Sequence, residues 1–101
     1  MFDRILYIDD QIALCLSWFG MGALKAKNRV GAIRRAHPLQ RKAFLIACQA
    51  FTDAGQPLLP SNPKCSELMK DFAEMLLYQS PSSMTWGMVF DDPAGFGRMH
   101  A

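Results

Sequence analysis

Charge is scarce in this chain of 101 residues: Asp, Glu, Lys and Arg make up 20% of it, and half of it is hydrophobic. That balance excludes the disordered and the highly charged classes and leaves a globular domain of ordinary size. Cysteine is scarce too. Cys15, Cys48 and Cys65 are three in number and far apart, which excludes a disulfide framework. With only His37 and His100 beside them, no zinc set can be assembled. Long apolar runs are missing. The most apolar window, residues 11–24, is shorter than the roughly 20 residues that cross a bilayer. The start, Met-Phe-Asp-Arg followed by Asp9 and Asp10, lacks the basic opening of an export signal. Reduced thiols and the absence of such a signal lead to the expectation of a cytoplasmic protein without membrane contact.

Catalytic signatures are also lacking. There is no glycine-rich phosphate loop, no Gly-x-Ser-x-Gly and no histidine set beside an obvious nucleophile. His37 precedes Pro38 at a helix junction, a place for capping, and Asp91-Asp92 reads as a turn. No catalytic, cofactor-binding or metal-binding residue is assigned, and the expectation is a non-enzymatic protein.

What is present is helical periodicity. Phe2, Ile5, Ile8, Ile12, Leu16, Phe19 and Ala23 recur every three or four residues, the spacing of one helical face. Asp9 and Asp10 lie on the solvent side of one long helix, or cap a helix starting at Gln11 after a short strand at residues 4–8. A weaker helix over 23–36 follows Ala26, Val30, Ile33 and His37, and Pro38 ends it. The clearest helix runs over 39–54, with Leu39, Ala43, Ile46, Ala47 and Ala50 as its stripe, Phe44, Cys48 and Phe51 broadening it, and Gly55 as terminator. Residues 56–63 hold three prolines and read as a loop. A fourth helix is expected from Ser66, as N-cap, to about Gln79, with Leu68, Phe72, Met75 and Leu76 inward. Glu67, Asp71 and Glu74 would then sit toward its positive end. Residues 82–101 show no helical period. Met84 to Phe90 alternates large and small side chains, as in a short strand or an extended arm, and two late glycines suggest a loosely held tail.

The least random feature is charge placement. Lys25, Lys27, Arg29, Arg34, Arg35, Arg41 and Lys42 are seven of the eleven basic residues, and no acid lies among them. The rest of the chain sets four basic residues against nine acidic ones, so the net +2 hides a block of +7. Such a block steers an acidic protein partner, neutralises phosphates of a nucleic acid, or forms a solvated face balanced within the molecule. The second feature is the C-terminal set of Met84, Trp86, Met88, Phe90, Phe96 and Met99, residue types enriched at interface cores. These same side chains suit an arm that folds back over a groove between helices.

Residues 4–10, RILYIDD, resemble the first strand and acidic pair of response-regulator receiver domains. Asp53-Ala-Gly-Gln-Pro57 repeats the spacing of aspartate and proline around their phosphoacceptor. The resemblance implies that Asp9 and Asp10 hold Mg²⁺ and that Asp53 accepts phosphate. The chain departs from that pattern in three ways: residues 10–53 read as helices without room for alternating strands, no lysine follows Lys70, and the chain is short. The helical reading is therefore preferred.

The expected architecture is mainly α: one domain over 1–101, a compact bundle of three to four helices, with 82–101 as an extended C-terminal arm. The expected function is that of a small adaptor, regulator or inhibitor. It would bind an acidic protein through the basic stretch and through the Met/Trp arm, with Trp86 and Phe96 as anchors. The alternative is a nucleic-acid-binding module using residues 25–42 on phosphates.

Overall fold

The structure, a computed structural model, describes residues 36–101. The segment expected to be helical over 2–23, that over 23–36 apart from Ala36, and the receiver-like residues 4–10 lie outside the described residues. Within them, four helices follow one another: α1 Pro38–Asp53, α2 Pro63–Tyr78, α3 Met84–Asp91 and α4 Pro93–His100. Nearly three quarters of the described residues are helical, and no strand occurs among them. The expectation of a mainly α bundle holds. The extended C-terminal arm does not form: residues 84–100 are two short helices separated by Asp92.

Each helix starts on a local signal. Pro38, with its fixed φ and missing N–H, occupies the first position of α1. Before it, the His37 Nδ1 accepts from Leu39 N at 3.1 Å while His37 N donates to Gln40 Oε1 at 2.7 Å. This closes a capping box that leaves Gln40 buried. At the far end Gly55 adopts φ +89°, the left-handed conformation that lets the chain leave the helix. α2 begins three residues earlier than the Ser66 expected as its cap. Asn62 caps it by accepting from Lys64 N at 3.2 Å, and Pro63 takes the first position. Ser66 lies inside the helix, its hydroxyl donating to Pro60 O at 3.2 Å. That shift moves Glu67, Asp71 and Glu74 beyond the first turn, where the dipole no longer helps them. Ser83 caps α3 through Trp86 N at 3.1 Å. Asp92 ends α3 and caps α4, its carboxylate accepting from Gly95 N at 2.9 Å.

Two kinds of packing join these helices. α1 and α2 meet through large side chains: the rings of Phe44 and Phe72 lie 4.4 Å apart, centroid to centroid, among Phe51, Leu68 and Met69, all essentially inaccessible. Of the residues expected in this core, Leu76 is half-buried at its edge, Ile46 is half-buried beside the cleft it shares with Ala94 and Arg98, and Leu39 is exposed. α4 instead lies directly on α1, the most extensive helix pair among the described residues. There Gly97 faces the backbone of Ala47 so closely that a Cβ would overlap the Ala47 carbonyl. Small residues on both helices set that short separation. α3 contributes Trp86, whose ring stands edge-on to Phe72 at 5.2 Å and stacks on Phe90 at 5.6 Å. Its indole Nε1 donates to Met75 O at 3.2 Å, satisfying the one polar atom of a fully buried ring.

Candidate interaction surface

α3 and α4 are too short to bury both of their apolar faces. α3 turns Trp86 and Val89 inward. One turn apart on its other side, Met84 and Met88 stand 85% and 69% exposed, and Met99 of α4 is 74% exposed. A large side chain so uncovered leaves most of its transfer free energy unrealised, on the order of 1.5–3 kcal/mol for each methionine. Met88 and Met99, with half-buried Phe96, border a groove of about 450 Å³ whose lining also includes Thr85, Val89, Asp92 and Gly95. Methionine's unbranched, polarisable chain adapts to many apolar shapes, so a surface of this composition suits a docking role.

Thr85 and Phe96 also line a second groove of about 320 Å³, continued by Asp71, Glu74, Met75, Tyr78 and Gln79. The two grooves share Thr85 and Phe96 in their linings, so they adjoin as a double depression on either side of Phe96. Phe96 is held from below: its ring lies 4.7 Å from the His100 imidazole. The two nitrogens of that imidazole reach Phe96 O at 2.8 Å and Asp71 Oδ2 at 2.6 Å, tying α4 to α2. A third cleft, about 370 Å³, opens on the other side of α4 between Ile46, Ala50, Ala94 and Arg98. Arg98 approaches Asp92 at 3.8 Å, with both side chains largely exposed, a pair of little energetic weight.

The residues expected to bind a partner distribute unevenly. Lys25, Lys27, Arg29, Arg34 and Arg35 lie outside the described residues. Arg41 and Lys42 sit at the start of α1 and line none of these grooves; Lys42 is exposed and Arg41 half-buried. Phe96 is at the depression, as an anchor would be. Trp86 is fully buried in the core, so its ring is not presented to a partner, and covering the helix groove is its role. The sequence drew attention to Met84, Met88 and Met99 as a group. It did not connect Asp71, Glu74 and Asp92 with them, because those acids come from another helix or from what read as a turn.

No other chemistry is assembled here. Among the described residues no three His, Cys, Asp or Glu side chains come together as a metal site. Cys48 and Cys65 are both buried. Burial pushes the Cys65 thiol up to about 11, with a backbone hydrogen bond at Leu59 pulling partly the other way, the profile of an inert cysteine. Asp53, which the receiver-domain resemblance makes a phosphoacceptor, ends an α-helix and not a strand. No helix among the described residues is long and apolar enough to cross a membrane. No known protein family, curated protein or solved structure matches the chain.

Proposed function

We propose that this chain is a non-enzymatic protein-interaction module, a small cytoplasmic adaptor that binds a protein partner through the methionine-lined face of α3 and α4. The observation that carries the reading is the pair of uncovered methionines, Met88 and Met99, lining the groove beside Phe96, with Met84 exposed one turn earlier on α3. A small fold has few apolar side chains to spare, and contiguous exposed ones of this kind mark docking surfaces. The buried free thiol of Cys65 fits a reducing compartment.

The basic block of residues 25–42 complements this face. Its seven cations without an acid favour steering toward an acidic protein, and the role of adaptor fits a chain that carries a cationic sequence block as well as a methionine-lined face better than that of a simple inhibitor. Nucleic acid is the competing ligand for the block, since the same cations neutralise phosphates.

Affinity purification from native lysate, with and without nuclease, tests the reading. The full chain should retain a protein partner after nuclease treatment, and the double variant Met88→Glu, Met99→Glu should lose it. Retention of nuclease-sensitive material alone, together with affinity for mixed-sequence DNA or RNA that falls log-linearly with salt, would replace this reading with the nucleic-acid one.

A further inference from the structure

Building on the protein-interaction reading, we infer that the depression across α2, α3 and α4 receives a basic amphipathic helix of a partner protein. Two observations point to this occupant. The first is shape and composition. The groove nearest α3 is largely apolar, from Val89, Met88, Phe96 and Met99, and the more polar groove that adjoins it at Phe96 runs toward Tyr78. An apolar groove with a polar neighbour of this kind takes one face of an amphipathic helix, read by side chains spaced three and four residues apart.

The second observation is charge. Three carboxylates line the joined grooves, Asp71 and Glu74 on the α2 side and Asp92 on the α3–α4 side, and no Lys or Arg lines either of them. Arg98, the nearest cation on α4, lines the cleft on the opposite side. Asp71 is already engaged by His100, and Asp92 is approached by Arg98, so Glu74, exposed at the rim, is the freest of the three. Asp91 adds a fourth carboxylate at the end of α3, exposed beside Asp92. A helix laying an apolar stripe on Met88, Phe96 and Met99 would bring its flanks over these acids. Lys or Arg on those flanks gains complementary contacts, whereas Asp or Glu there meets like charge. The acid rim thus selects against an acidic helix at this depression.

The test uses the full chain and three helical peptides sharing one apolar stripe of Leu and Phe, with Lys, Gln or Glu on the flanks. Binding is followed by anisotropy at about 0.15 M salt, where exposed charges are already screened beyond about 8 Å. Methionine methyl NMR signals locate the site. The Lys peptide should bind at least about tenfold more tightly than the Glu peptide, a difference of roughly 1.4 kcal/mol, and should shift the Met88 and Met99 methyls. Glu74→Lys, a change on an exposed side chain, should narrow or invert that ratio without altering the circular dichroism spectrum. Met88→Glu should abolish binding.

Equal or tighter binding of the Gln or Glu peptide at the same methyls would overturn the basic-helix assignment while leaving the protein-interaction reading in place. Binding of none of the three would overturn both for this face. A dimer of the chain alone in sedimentation velocity, broken by Met88→Glu, would assign the depression to a second copy and also overturn the inference.

Discussion

The pair α1–α2 and the pair α3–α4 solve the packing problem in opposite ways. The first two helices have sixteen residues each, long enough to devote one wide face to rings and aliphatic chains and the other to solvent. Phe44, Phe51, Leu68 and Phe72 are completely buried between them. The second two have eight residues each, little more than two turns, and an isolated helix of that length has no stability of its own. They are held by a few strong points. α3 inserts Trp86 and Val89, and α4 presses Gly97 onto α1 and reaches α2 through His100. Met84, Met88 and Met99 stay outside. Length converts periodicity into a core; short helices anchored at a few residues leave surface over for a ligand.

That contrast is most sharply broken at its anchors. Phe72→Ala and Trp86→Ala should each cost about 3–5 kcal/mol in urea unfolding, the range for a large buried ring. Both remove partners from the same aromatic chain, Phe44–Phe72–Trp86–Phe90. A double-mutant cycle should therefore show coupling and not simple addition. A loss below about 1 kcal/mol for Trp86→Ala would mean that α3 does not depend on its ring.

The next effect comes from backbone proximity. Gly97→Ala places a methyl group against the Ala47 carbonyl, which cannot swing aside as a side chain would. A cost of about 1–3 kcal/mol is expected, as for other overpacking changes. Gly87 supplies the control: it lies within α3, and nothing stands within 4 Å of an added Cβ. Gly87→Ala should stabilise by about 0.5–1 kcal/mol through helix propensity. Equal effects at the two glycines would mean that α4 does not lie so close on α1.

A chemical prediction follows from the ring-packed half. With its thiol pushed up to about 11, Cys65 in the folded chain should react far more slowly with a disulfide reagent at pH 8 than in urea. Because the raised value favours the thiol, its contribution to stability is complete below about pH 9. It is lost as pH rises through 9 to 11. Labelling at the unfolded rate would contradict the burial of this residue.

The sequence disclosed the two halves unequally, for the same physical reason. In α1 and α2 one face is apolar and the other polar, so period and boundaries were readable: 39–54 was expected against Pro38–Asp53, and 66–79 against Pro63–Tyr78. The early start of α2 was hidden because Pro57, Pro60 and Pro63 read together as loop, although a proline after Asn62 is also a helix start. In α3, Met84 and Met88 are apolar on the outside while Trp86 and Val89 are apolar on the inside, which erases the periodicity that amphipathic reading needs. In α4 the two glycines looked like breakers, yet Gly97 is where the helix must touch α1, and Asp92-Pro93 is a cap and first position. The site was half legible. Its methionines and Phe96 drew notice by type, but Trp86 was counted with them until its burial separated it, and the acid rim depends on α2 lying beside α4, which no local pattern reveals.

The most direct test of the account is the stability of the triple variant Met84→Gln, Met88→Gln, Met99→Gln. If these side chains are kept for a partner and not for the fold, urea unfolding should give a midpoint and slope like those of the unchanged chain. The expected difference is within about 0.5 kcal/mol, as for surface substitutions generally. A loss of about 2 kcal/mol or more would show that the methionines hold the fold together, and would contradict the division of the molecule into a ring-packed core and an uncovered docking face.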